Sequence, residues 1–366
     1  MTQLGIYVGN STAALTDFEN WLGRDVTGVH TAIGFQSWGD FLGSTALVAD
    51  MFHETQRELH WSVPLITVDS SLAVAATGAY NDYYRQAAET ILQAGPTDVP
   101  INIRVGWELN GDWFPWSAIG HEQEYIGAFR QFVDTFRSVS DRFVFEWNVN
   151  EAWAGIDPAT AYPGNDYVDI IGMDVYWNTA YWGEDPYYAW QNLLTQQFGM
   201  QWHQDFADAM GKPTAYSEWG VMTDNAAPYI NAMKMWFDTH DVVFQSRWDS
   251  DDDYLGKMSD GTQPNSGNAY ISAFQNPNAE WKLNGLQYIA SYGDLIDAFG
   301  ANAEAGVRHY FQYGVVERRE PVTFDANTYL ANYGDLRDAF GWDQDAAATH
   351  WIIFGRHEGR TDDPLF

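Results

Sequence analysis

The stretch "INIRVGWELNGDWFPWS" (101–117) is where the fold is decided. It opens with a short apolar run, Ile101 to Val105, of the length and composition of a buried strand. It ends on a carboxylate, Glu108, and passes at once into Asn110, Gly111, Trp113, Phe114 and Trp116. A carboxylate on an open loop costs little. One at the end of a buried strand, beside flat apolar rings, loses hydration and needs a compensating use.

Seven further runs have the same strand-like character: 4–10, 27–37, 63–71, 143–150, 169–177, 213–220 and 242–249. Between them lie segments with helical periodicity, among them "NDYYRQAAETILQA" (81–94), "EYIGAFRQFVDTFRSV" (124–139) and "WQNLLTQQFGMQWHQDFADAMG" (190–211). Eight strand–helix alternations predict an α/β chain folded as a (β/α)8 TIM barrel over residues 1–284. A doubly wound open sheet is the second choice, because no glycine-rich phosphate loop follows the first run. The runs end in polar or aromatic residues: Asn10, Gln36, Asp69, Glu108, Asn150, Tyr176, Glu218 and Asp249. Barrel enzymes carry their chemistry at the C-terminal ends of the strands.

The remainder, 285–366, is of another kind. "YIASYGDLIDAFGANAEAGVRHYFQYGVVERR" (288–319) is echoed by "YLANYGDLRDAFGWDQDAAATHWIIFGRHEGR" (329–360) at a constant offset of 41 residues. Each copy of this tandem repeat reads as two short helices, the first ended by Gly300 or Gly341, and the pair as a small α-helical accessory region. His309 and His350, set among aromatics, are assigned to packing. The acidic run 249–253 has oxygen donors suited to calcium but lacks the spacing of an EF-hand loop, so it is read as solvated charge.

Composition excludes several classes. With 50 Asp+Glu against 18 Lys+Arg the formal net charge is -32, which disfavours nucleic acid and anionic membrane surfaces as partners. There is no cysteine, hence no thiolate nucleophile, no cysteine-bound zinc and no disulfide. No run approaches the length of a membrane span, so membrane insertion is not expected. The N-terminus shows no secretory signal. The expectation is an extracellular protein exported without such a signal, or one trimmed at its start. The 18 Trp, 21 Tyr and 21 Phe fit a well-packed core, but many adjoin Gly, Asn, Asp and Pro, where cores are rarely built, which suggests that a good share of them line a groove.

Two carboxylates stand out. Glu108 ends the fourth run, and Glu218, in "SEWG", ends the seventh. A glycosidic bond is cleaved by such a pair, one group protonating the leaving oxygen while the other attacks the anomeric carbon or activates water. Asn110 has an amide to bond a hydroxyl, and Trp113 and Trp219 have ring faces for a sugar to stack on. Trp116 is read as groove wall or platform, Trp248 as the floor beneath the cleaved sugar, and Trp147 and Asn150 as further contacts at the end of the fifth run. Glu146 and Glu151 are rival acids without the flanking Asn-Gly-aromatic pattern.

The motif "RVGWELNGDWFPW", with "SEWG" further on, resembles glycoside hydrolase family 26 over roughly residues 1–284. That family comprises retaining endo-glycanases with a (β/α)8 fold: β-mannanases, mixed-linkage β-glucanases and β-1,3-xylanases. The resemblance implies Glu108 as acid/base, Glu218 as nucleophile and Tyr176, in "GMDVYW", as the residue orienting the nucleophile. Arg104 and Asn110 match the positions flanking the acid, and Asp174 either orients Tyr176 or pairs with Arg104. Family members usually carry a sugar-contacting His where this chain has Trp107, so Trp107 becomes a substrate contact and a mannan assignment is weakened. A retaining endo-β-glycanase acting on a polysaccharide, without cofactor or catalytic metal, is the expectation. The alternative is a glycan-binding or matrix-attachment protein whose barrel no longer turns over substrate, the repeats touching a cell surface or matrix.

Overall fold

The computed structural model describes residues 1–252 and 254–365. The chain divides into two compact units, Met1–Asn231 with His240–Ala279, and Ala232–Thr239 with Glu280–Phe366.

In the first unit, β1 (Gln3–Tyr7), β2 (Gly28–Ala32), β3 (Glu58–Val63), β4 (Ile101–Val105), β5 (Phe143–Asn150), β6 (Ile170–Trp177), β7 (Thr214–Val221) and β8 (Val242–Trp248) pair in chain order. All pairs are parallel, and β1 closes onto β8 to complete a (β/α)8 barrel. The third strand lies earlier than the apolar run 63–71 suggested, over "ELHWSV". Pro64 lacks the N–H that a continuing ladder needs, and the polar His60 and Ser62, which disguise the strand in sequence, are buried. The expected helix over 190–211 is two helices, Pro186–Thr195 and Met200–Met210. Phe198 between them has a left-handed backbone, φ 60°.

Helices cover the barrel through one apolar face each. Glu122–Val139 buries Tyr125, Phe129, Phe132, Val133 and Phe136 at spacings of three and four, with Glu122 and Glu124 at its positive end and Arg137 near its negative end. Each such buried ring contributes on the order of 1.5–3 kcal/mol. Among the described residues no helix is long and apolar enough to cross a membrane.

β7 carries a local irregularity that matters for the site. Gly172 pairs with Ala215 but Asp174 with Glu218, so β7 has one residue more than β6 over this span. A bulge of this kind breaks strict alternation and re-aims side chains. Ser217 and Glu218, though consecutive, both reach acceptors or donors inside the barrel, at Glu146 and Arg104 respectively.

In the second unit each repeat forms three short helices rather than two: Gly285–Ala290, Gly293–Phe299 and Ala303–His309 in the first, Ala326–Asn332, Gly334–Phe340 and Gln344–His350 in the second. The third helix of each runs on into a π turn. The two copies repeat the same bonds. Tyr288 Oη meets His309 Nδ1 at 3.1 Å and Tyr329 Oη meets His350 Nδ1 at 2.9 Å. Arg319 pairs with Asp294 at 2.8 Å and lies over Tyr292, as Arg360 pairs with Asp335 at 2.8 Å and lies over Tyr333.

Candidate active site

Glu108 owes its position to a strained turn. β4 stops at Val105, Gly106 turns left-handed at φ 50°, and Glu108 does so again at φ 50°. A Cβ on Gly106 would stand 2.8 Å from Leu65 Cβ, so that position needs both the freedom and the smallness of glycine. For Glu108, which has a Cβ, the left-handed conformation costs about 1–3 kcal/mol. Its backbone N–H donates to Asn148 Oδ1 at 3.2 Å, which anchors the turn to β5.

Glu108 and Glu218 line one cavity of about 730 Å³ at the C-terminal mouth of the barrel, together with Arg104, Trp107, Trp113, Asn150, Tyr176 and Trp248. Two side-chain donors hold the Glu108 carboxyl: Trp113 Nε1 to Oε2 at 2.6 Å and Asn150 Nδ2 to Oε1 at 3.0 Å. Burial, and then the charge of Glu218, push the Glu108 carboxyl up to about 7, against the pull of Trp113, Arg104 and Asn150. Glu218 sits in the opposite environment. Arg104 Nη2 donates to its Oε1, and Tyr176 Oη donates to its Oε2 at 2.6 Å. Burial, followed by the charges of Glu218 and Asp174, holds the Tyr176 phenol well above its ordinary range, so it remains a donor.

Arg104 is the hub of a buried polar layer. It also donates from Nε to Ser62 Oγ at 2.8 Å and from Nη1 to Asp174 Oδ2 at 2.6 Å. Burial opposes its charge, but Asp174, Glu218 and Glu146 more than reverse that, and the guanidinium stays charged. Asn148 bridges Glu146 Oε1 at 3.0 Å and Asp174 Oδ1 at 2.9 Å. Gly172 makes the room: a Cβ there would fall 1.8 Å from Glu146 Oε1. Of the two readings of Asp174, the ion pair with Arg104 is the one present.

Four residues expected at the sugar do not line the cavity. Trp147, next to the inward Glu146 and Asn148 on β5, turns to the outer face and packs on Tyr162 and Phe206. Trp219 follows Glu218, so it too faces outward, against Tyr270 and Phe274, with its Nε1 donating to Gln245. Trp116 is fully buried, stacked on Phe114, with Nε1 donating to the Trp107 carbonyl at 2.7 Å. Asn110 is fully buried and clamps the backbone of Asn150, donating to its carbonyl at 3.0 Å and accepting from its N–H at 2.9 Å. It therefore positions a contact rather than making one.

Trp107 is a wall of the cavity, with the Arg104 guanidinium 5.0 Å from its ring centre. Trp248 stacks on Tyr7 at 4.1 Å, and its buried Nε1 has no hydrogen-bond partner among the described residues. The rival acids part company. Glu146 is buried and fully engaged with Ser217 and Asn148, whereas Glu151 lines the cavity and accepts from Asn150 Nδ2 at 3.1 Å. Sequence reading passed over Tyr7, His30, Asn148, Tyr181, Trp182 and Tyr254. Asn148 left a signal in the every-second-residue polar series 146, 148, 150, and Trp182 and Tyr254 fit the pattern of aromatics beside Gly or Asp.

The acidic loop after β8 is not simply solvated. Asp249 is buried, and its Oδ1 accepts from the Met258 N–H at 2.8 Å, while Asp251 Oδ1 accepts from the Lys257 N–H at 3.1 Å. Asp253 lies outside the described residues.

Among the described residues the barrel mouth thus holds three carboxyls, Glu108, Glu151 and Glu218, of which Glu218 is ion-paired to Arg104, a setting suited to the paired-carboxylate chemistry of barrel glycosidases. The chain belongs to glycosyl hydrolase family 26, which matches residues 53–251, just over half of its length. It is 25% identical over 318 residues to Endoglucanase H of Acetivibrio thermocellus, covering 82% of this chain and 31% of that protein. It is 30% identical over 156 residues to a mannan endo-1,4-beta-mannosidase of Bifidobacterium adolescentis, covering 40% of this chain and 15% of that protein. The chain thus spans less than a third of either relative. Among solved structures, the catalytic domain of a Bacillus sp. JAMB-750 endo-beta-1,4-mannanase superposes with a TM-score of 0.54 at 17% identity, covering 77% of this chain and 86% of that one. A Bacillus subtilis mannanase gives 0.53 at 14%, covering 80% and 89%. These two share the fold.

Proposed function

We propose that this chain is a retaining endo-β-glycanase with Glu108 as acid/base and Glu218 as nucleophile. The observation that carries the reading is the division of labour between the two carboxyls. Glu108, lifted to about 7 by apolar burial and by Glu218, keeps its proton in about half of the molecules at neutral pH, while Glu218 is bonded by the Arg104 guanidinium and the Tyr176 hydroxyl.

In the first step a Glu218 oxygen forms a bond to the anomeric carbon as the glycosidic C–O bond breaks, and Glu108 gives its proton to the leaving oxygen. In the second, Glu108 takes a proton from water, whose oxygen displaces Glu218 from the same face from which the leaving group departed. Tyr176 fixes the attacking carboxylate. Arg104 holds it from the other side and is itself held by Asp174 and Ser62. Trp248, stacked on Tyr7, lines the cavity with its ring and is read as the floor beneath the cleaved sugar. Retention requires the carboxyls about 5–5.5 Å apart in the loaded site.

A polymer substrate puts the site of action outside the cell, and residues 285–366 are proposed as an accessory unit contacting a surface or matrix. The endoglucanase and mannosidase names of the relatives place β-glucan and β-mannan in the substrate panel. Trp107, standing where a sugar-contacting His is usual, weakens the mannan reading, so β-1,3-xylan, β-1,4-xylan and bacterial exopolysaccharides complete the panel. Reducing-end release from this panel, with Glu218→Ala as control and proton NMR of the first-formed anomer, is the test. Release of the β-anomer, lost in the variant, supports the reading. An α-anomer first product overturns retention, and polymer binding without release in both proteins leaves the binding-protein alternative.

A further inference from the structure

Trp153 has no part in the chemistry above, yet its setting is built. It lies on the loop after β5, two residues beyond Glu151, which lines the cavity, and three beyond Asn150, which bonds Glu108. Its ring is 56% exposed, and one face stacks on Phe198 at 5.7 Å. Phe198 is backed in turn by Trp202 at 5.1 Å, Trp202 stacks on Phe206 at 5.3 Å, and Phe206 meets Trp147 of β5 at 5.6 Å. An aromatic column thus runs from the barrel wall to an open indole face.

The backbone at the top of this column is strained on both sides. Ala152 has φ 76° and Phe198 φ 60°, both non-glycine residues in the left-handed region, and the Ala152 N–H donates to the Phe198 carbonyl at 3.2 Å. Such conformations cost about 1–3 kcal/mol each and persist where the surroundings over-determine them. Packing alone does not explain the strain, since the ring it supports stays mostly in water. The loop is also pinned beside the acid/base. A Cβ on Gly155 would stand 2.4 Å from Ile119 and 3.7 Å from the Asn110 carbonyl, so this backbone lies directly on the loop that follows Glu108.

Three exposed rings follow three consecutive strands of the barrel. Trp113 after β4, Trp153 after β5 and Tyr181 after β6 are 50%, 56% and 80% exposed. On the β1 and β8 side, Tyr7 and Trp248 turn their faces on each other at 4.1 Å. Glu108 protonates the leaving oxygen, so the side it shares with Trp153 receives the leaving part of the chain.

We infer that Trp153 is a binding platform for a pyranose ring of the polymer on the leaving-group side, outside the cavity that performs the cleavage. The inference rests on the glycanase reading. A sugar ring stacks its C–H face on the open indole face, while Phe198 keeps the indole from rotating away. The platform holds long chains and is out of reach of short ones.

The test uses the full chain with Trp153→Ala and Trp153→Phe, and two substrates of one linkage: the polymer and an aryl oligosaccharide filling only the cavity. Trp153→Ala is expected to lower kcat/KM on the polymer roughly tenfold more than on the short substrate, chiefly through KM, with Trp153→Phe between it and wild type. Equal losses on both substrates, or no loss on the polymer, overturn the proposal. Affinity electrophoresis in polymer-containing gels reads the same platform without turnover. A wild-type chain that cleaves nothing refutes the glycanase reading, and the platform then stands or falls on whether Trp153→Ala abolishes retardation in the gel.

Discussion

Replacing Trp113 by Phe should move the alkaline limb of kcat/KM upward by about half to one pH unit. In the proposed mechanism that limb reports loss of the proton from Glu108, whose carboxyl lies at about 7. The Trp113 indole N–H donates to Glu108 Oε2 at 2.6 Å, and such a bond favours the ionised form. A hydrogen bond to a charged group contributes about 1.5–3 kcal/mol. Trp113 is 50% exposed, so water competes for both partners and roughly half of that remains, about 0.75–1.5 kcal/mol. At 1.36 kcal/mol per pH unit this is about half to one unit, from about 7 to about 7.5–8. Phe keeps a ring for stacking and removes only the donor. The measurement is kcat/KM across the neutral and alkaline range for both proteins. An alkaline limb that stays in place or moves downward would refute the assignment of Glu108 as the acid, or of Trp113 as its partner.

Tyr176→Phe removes the donor to Glu218 Oε2 and should lower kcat by roughly 10- to 100-fold with little change in Tm, measured by steady-state kinetics and calorimetry. Arg104→Met leaves Asp174 buried without its counter-ion and should cost on the order of 3–5 kcal/mol in stability, seen as a large drop in denaturant midpoint. Glu108→Gln should abolish turnover yet stabilise the chain at alkaline pH. The native carboxyl holds a proton up to about 7 that the unfolded chain releases near 4.5, so wild type loses up to about 3 kcal/mol as pH rises through that window. The Tm difference between the two proteins should therefore be near zero at about pH 4 and positive above neutrality. Trp219→Phe, outward on β7, should lower Tm and leave KM unchanged, and a raised KM would place that ring back at the substrate.

The barrel was legible because eight apolar runs of strand length alternate with helical periodicity, a pattern local enough to survive in one dimension. Glu108 and Glu218 were legible for a related reason: each ends a run at the edge where barrel loops converge. On the strands, the misplaced residues are those where two neighbours were assigned to one face, whereas Asn110 and Trp116 fold inward within the loop after β4. Trp219 beside Glu218, and Trp147 among Glu146, Asn148 and Asn150, must turn outward when the polar residues turn in. The same rule would have misplaced Ser217 and Glu218, which face inward together only because β7 bulges against β6. The third strand was missed because His60 and Ser62 broke the apolar signal, though both are buried.

By itself the sequence determined the strand count, the two carboxylates and the aromatic wealth of the loops, since each is a property of a short segment. Only the tertiary structure decided which rings face the cavity, which acid sits apolar and which is paired, and that Trp153 stands on a column of four further rings. Those outcomes depend on register, on one bulge and on three left-handed residues, Glu108, Ala152 and Phe198. Each is fixed by contacts between segments far apart in the chain, which no local pattern encodes.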